Sequence, residues 1–267
     1  QSQNLNLKKI LFLIRKMKRK QDFPAISSHI SEINSKSSIN SITSANELSN
    51  IILEDYALTT KLLRLVNSSF YGQFGGEITT VSRAIIILGY EQVRSAALSI
   101  ILFEHLKDAN QANNLKIETY CSLMSAIIAR EQAKNLNLKN NDATETAFIA
   151  SMFHELGKLL TIFYFKDEYN EIQNLIEAQG LEIDKACKNV MGASYHELGK
   201  GIAKEWKLPD VISSSMEKLP AGEVKPSDNP NTITRQLTCF ANELCTIGKM
   251  DGDRDAAMTE LAKRYES

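Results

Sequence analysis

The chain has 267 residues, 43% of them apolar and 24% charged, with 31 Lys and Arg against 32 Asp and Glu. That length buries a substantial core, and a net charge of −1 supplies no electrostatic reason to expect a nucleic acid as the main partner. Twelve Gly and five Pro leave little room for an all-β design rich in tight turns, and no apolar run approaches the length of a membrane span.

Residues 5–20, LNLKKILFLIRKMKRK, place Leu7, Ile10, Leu11, Ile14 and Met17 on one helical stripe, with seven basic residues between Lys8 and Lys20. The spacing predicts a helix packed by its apolar stripe with the basic face in water; contact with a membrane surface or a nucleic acid is the alternative. The apolar run after Lys9 meets Arg15, which is too early for a secretory leader. Asp22-Phe23-Pro24 breaks the pattern.

Ile26, Ile30 and Ile33 recur at i, i+4 and i+7, and Ser44 stands three residues before Glu47 as a capping box for a helix carrying Leu48, Ile51 and Ile52. Leu58, Leu62, Leu65 and Val66 share the next face, which stops at residues 67–72. GQFGGEITT lacks the Gly-Lys-Ser/Thr of a phosphate loop and reads as a turn. Two further helices follow, separated near Gly89, and His29 and His105 read as structural. The polar stretch 107–116 is the best internal boundary. Beyond it the pattern predicts helices over 117–134, 143–165, 167–179 (ending at Gly180), 182–206, 209–218, 231–248 and 254–265, with a three-proline loop at 220–230. No strand pattern emerges, so the fold class is all-α.

The pentapeptide HELGK occurs at 154–158 and again at 196–200, in a chain with four histidines. A zinc protease helix needs a second His at the fourth position on, where Lys158 and Lys200 stand. The flanks of the two copies do not align, so they are no structural duplication. Gly157 and Gly199 read as points of close helix approach. The four cysteines, Cys121, Cys187, Cys239 and Cys245, form no C-x-x-C pair and read as reduced thiols of a cytoplasmic protein.

AFIASMFHELGKLL is similar to the aGLLHDiGK helix of the HD phosphohydrolase superfamily. Within it the chain resembles the HDOD (HD-related output) branch from Phe23 onward: FPAISSHISEIN, ANELSNIILEDYALTTKLLRLVNSSFYG, ITTVSRAIIILGYEQVRSAALS and GASYHELGKGIAKEWKLPDVI follow that branch's motifs in order. The resemblance implies a multi-helix bundle: a basic amphipathic linker helix (1–21), an N-terminal helical subdomain (22–110), an HD-like helical core (111–250) and a C-terminal helix (251–267).

It also marks departures. Catalytic HD relatives bring a histidine from the preceding helix where this chain has Cys121 and Ser122. Their His-Asp pair is His154-Glu155 here, and their late Asp falls on Asn242. Relatives with a second metal use the histidine matching His196 and a His-His pair that corresponds to Met216-Glu217. Lys158 adds a positive charge near the same face. An ion here would retain only His154, Glu155 and His196, and losing an imidazole and a carboxylate lowers affinity steeply. The expectation is a degenerate, non-catalytic site with no cofactor, in which His154 and His196 are helix histidines bonded to neighbours such as Glu155 or Asn242. A weakly bound divalent transition metal, serving a divergent phosphohydrolase of phosphoesters or cyclic nucleotides, is the alternative.

The resemblance further implies a bacterial signalling output module that works through protein partners, including a fused or associated receiver or sensor domain to which residues 1–20 would be the join. Phe70, Tyr71 and Phe74, among flexible glycines, form the candidate partner contact.

Overall fold

Among the residues described by the computed structural model (2–20, 22–35, 42–69, 71, 77–107, 113–136 and 141–266), fifteen α-helices carry the chain and no strand occurs. They divide into two compact units, one of residues 22–108 and one joining residues 1–21 to 109–267.

The 22–108 unit holds α2 (Phe23–Ser35), α3 (Ile42–Glu54), α4 (Tyr56–Val66), α5 (Val81–Leu88) and α6 (Tyr90–Lys107). Ile26, Ile30, Ile33, Leu58, Leu62 and Val66 are all buried, as their spacing requires. Asp55 caps α4 by accepting from the Leu58 N–H at 2.9 Å, Thr80 caps α5, and Gly89 separates α5 from α6 at φ 94°, a conformation that favours glycine. The capping box expected at Ser44 and Glu47 does not start a helix. The backbone is already helical from Ile42, which leaves Ser44 inside α3 and buried. After α4, the Asn67 amide closes the loop back onto Ile78: its Nδ2 donates to the Ile78 carbonyl and its Oδ1 accepts from the Ile78 N–H, both at 2.8 Å. The buried Arg94 guanidinium donates to Glu91 and to Asn34 Oδ1.

The other unit holds α1 (Ser2–Lys18), α7 (Asn113–Asn135), α8 (Asn141–Phe153), α9 (Leu156–Tyr164), α10 (Lys166–Gln179), α11 (Ile183–Val190), α12 (Tyr195–Glu205), α13 (Asp210–Ser215), α14 (Pro230–Gly248) and α15 (Arg254–Arg264). Helices α7, α8 and α14 pack around Leu237 and the alanines Ala129, Ala133, Ala147 and Ala241, whose small side chains let helix backbones approach closely. Helix α1 docks on α12 through Ile10, Leu13, Ile14 and Met17. The buried stripe is thus rotated from the expected one: Leu7 and Leu11 are exposed and Leu13 takes their place, because the docked face is the one that meets glycines. A Cβ on Gly201 would lie 2.5 Å from Ile10 Cγ2, and one on Gly192 would lie 2.5 Å from Lys9 Cδ.

Two stretches that periodicity reads as single helices are broken. Residues 143–165 divide at His154-Glu155, where Glu155 (φ −93°, ψ 18°) turns the chain between α8 and α9. Residues 182–206 divide at 191–194, where Gly192 is left-handed (φ 78°) and Ser194 with Glu197 forms a complete capping box for α12. The break before α9 sets up the tightest contact in this unit: a Cβ on Gly157 would fall 1.9 Å from the Tyr195 carbonyl oxygen. Trp206, fully buried at the end of α12, meets Phe153 edge to face at 6.4 Å.

Candidate functional site

The turn between α8 and α9 presents His154 and Glu155, and the first turn of α12 presents His196, with the two imidazole centroids 5.4 Å apart. His154 is buried and its Nδ1 lies 3.0 Å from the Ser215 carbonyl oxygen. A carbonyl only accepts, so Nδ1 carries the proton and Nε2 presents its lone pair, 3.7 Å from Glu155 Oε1. Burial holds the His154 pKa below the usual imidazole range, against the pull of Glu155. Burial pushes Glu155 upward, but His154, Lys158, His196 and Lys249 together hold it below the usual carboxylate range.

Lys158, one turn into α9, lines the same cavity as Glu155 and is paired with a carboxylate. Its Nζ donates to Glu118 Oε1 at 2.8 Å, while Lys249 from α14 takes Glu118 Oε2 at 2.8 Å. Burial lowers the Lys158 pKa, yet Glu118 and Glu155 outweigh it and the ammonium is held above its ordinary value. Of the two residues standing where relatives have a histidine, Ser122 is buried and spends its hydroxyl proton on the Glu118 carbonyl of its own helix, and Cys121 lines a cavity. The Asn242 Nδ2 donates to the Thr238 carbonyl one turn back on α14 at 2.9 Å and to Ser151 Oγ at 3.1 Å, the second bond tying α14 to α8. Met216 is fully buried against α12, and Glu217 pairs with Lys200 and Arg235 at the surface. Neither lines the cavities at the histidines.

Two adjoining cavities share Glu155, His196, Lys218, Asn242 and Thr246. The larger, about 570 Å³, extends to Ile247 and Met250 and is bounded by Leu261 and Arg264 of α15. The smaller, about 230 Å³, reaches Glu118, Cys121, Lys158 and Lys249. Among the described residues no three His, Cys, Asp or Glu side chains are gathered to hold one ion. At the positions that the resemblance assigns to an HD metal centre, this chain offers a neutral amide in place of the far carboxylate and a thiol and a hydroxyl in place of an imidazole, a donor set that does not fit that centre. Of the candidate contact residues, Tyr71 is half-buried with its N–H on the Ser68 carbonyl; Phe70 and Phe74 lie outside the described residues.

Sequence reasoning missed Glu118, the anchor of both lysines, and the Ser215 carbonyl that orients His154. Glu118 stands three residues before Cys121, on the same helical face, so the candidate face of α7 could have been read one turn further back.

The model of the HDOD domain matches residues 23–219. That match includes both HELGK copies and stops before α14, which carries Asn242. Solved structures share the fold at low identity. A Geobacter sulfurreducens HDOD domain protein of unknown function is 19% identical with a TM-score of 0.70, over 99% of this chain and 90% of that one. A candidate phosphohydrolase of Shewanella amazonensis is 19% identical with a TM-score of 0.67, over 95% and 87%. A candidate signal-transduction protein of Marinobacter aquaeolei is 18% identical with a TM-score of 0.62, over 98% of this chain and 62% of that one. No curated protein sequence matches the chain.

Proposed function

Because this chain belongs to the HDOD domain family, we propose that it is a signalling output module that acts through protein contacts and whose HD-type pocket carries out no metal-dependent hydrolysis. The family and the signal-transduction name of one structural neighbour support the first part. The second part rests on Asn242: the resemblance puts the far carboxylate of an HD site at this position, and the amide that lines the cavity here carries no charge to offset a divalent ion. A divalent ion would meet two imidazoles and one carboxylate, beside an ammonium that Glu118 holds charged.

One observation favours the second reading, a divergent phosphohydrolase. The Ser215 carbonyl fixes the His154 tautomer with Nε2 unprotonated beside Glu155, which is how a ligating histidine is oriented. Elemental analysis of the chain purified without chelators, with assays on phosphodiesters and cyclic nucleotides, separates the two. The expected result is substoichiometric metal and no turnover. One equivalent of transition metal, lost together with phosphodiesterase activity in His154→Ala, overturns the proposal.

A further inference from the structure

The cysteines divide into two classes. Cys187 and Cys239 are buried, and burial pushes each thiol up to about 11. Cys121 on α7 and Cys245 on α14 are half-buried and line the same cavity of about 230 Å³.

The packing of α7 on α14 puts these two on facing rows. Ser125 Oγ donates to the Ala241 carbonyl at 3.3 Å, and Glu118 holds Lys249 at 2.8 Å. Numbers rise along one helix as they fall along the other, so the helices are antiparallel. Cys121 is one turn before Ser125, and Cys245 is one turn after Ala241, so both fall at the level between those two fixed contacts. A serine hydroxyl that bonds a facing helix carbonyl requires a close approach. Helices joined through Ser and Ala approach closely, so the two cysteines face one another across the cavity they line. Burial holds the Cys121 thiol above its ordinary value, with Lys249 pulling the other way and Cys245 near enough to add to the rise.

We propose that Cys121 and Cys245 are a redox pair, closed to an intrachain disulfide by a peroxide small enough to enter the cavity they share. One thiolate attacks a peroxide oxygen and the O–O bond breaks. This leaves a sulfenic acid, and the departing oxygen takes up a proton to become water. The second thiolate attacks the sulfenic sulfur, the S–S bond forms, and hydroxide leaves to become a second water. Two thiols lose two electrons and the peroxide gains them. The new bond fixes α7 to α14 beside the Glu118 carboxylate and narrows the cavity at Lys158 and Lys249.

The test treats the reduced full chain with stoichiometric hydrogen peroxide, followed by thiol titration and peptide mapping without reductant. The expected result is loss of two of the four thiols, a mass decrease of about 2 Da for two hydrogens lost, and one peptide joining residues 121 and 245. That peptide persists in Cys187→Ser and Cys239→Ser and is absent from Cys121→Ser and Cys245→Ser. Separate alkylation of both cysteines after peroxide overturns the proposal. So do oxygen adducts on each without a joined peptide, or a joined peptide found only in covalent dimers. The wild-type map decides even if a serine variant fails to fold.

Discussion

The two HELGK segments share five residues and almost nothing of their use. In the first, the histidine is buried with its tautomer set by Ser215, the glutamate lines a cavity, and the lysine is locked onto Glu118. In the second, the glutamate is spent on the capping box of α12, and the lysine pairs with Glu217 at the surface. The glycines are used alike, because each is the point where α9 and α12 touch: a Cβ on Gly199 would lie 3.2 Å from the Gly157 backbone nitrogen. The same letters therefore become a pocket wall at a helix break and a cap at a helix start. Position relative to the helix end decides which.

The strongest way to break this comparison is at the glycines. Gly157→Ala drives a methyl into the Tyr195 carbonyl, which is backbone and cannot rotate away, and should cost about 3 kcal/mol or more. Gly199→Ala meets a contact of 3.2 Å and the flexible Met216 side chain, and should cost clearly less in the same urea titration. Equal losses would show that the crossing is not held as described.

The lysines sharpen it next. Lys158→Met removes a partner from the mostly buried Glu118, which keeps Lys249, and should cost about 1–2 kcal/mol. Lys200→Met removes a surface pair and should stay within about 0.5 kcal/mol. The Lys158 pKa is raised in the folded chain, so its contribution is complete below the ordinary 10.5 and fades as pH climbs through the folded value. The gap between wild type and Lys158→Met should narrow only in that alkaline range. Between the two lysines falls the cap of the second segment: Ser194→Ala opens the capping box that Glu197 completes and should cost about 1 kcal/mol in denaturant melts.

Much of the fold was legible because its signals are local. Gly89 and Gly180 end helices where only the neighbouring residues decide, and both adopt the positive φ that a stop requires. Gly157 and Gly199 were readable as close-approach points from their position on amphipathic helices. The rest depends on partners distant in sequence. A period of 3.6 marks Leu7 and Leu11 as readily as Leu13, and only the docking of α1 decides that Leu13 is buried while the other two stay exposed. The division at His154-Glu155 carries no Pro or other helix-stopping signal of its own, and it sets up the crossing at Tyr195, which is distant in sequence. At the site, substitutions at Cys121, Ser122 and Asn242 were visible by position. Their hydrogen-bond commitments were not, because Ser151 and Thr238 carry no motif.

The docking of α1 has a consequence for biosynthesis. The slot that receives Ile10 at Gly201 is translated about 190 residues after it, a separation that slows closure of such a contact. Until then the apolar side of this strongly basic segment stays uncovered on the nascent chain, a natural landing place for a ribosome-associated chaperone. Ribosome profiling with the trapped chaperone should show occupancy that ends once α12 has left the exit tunnel.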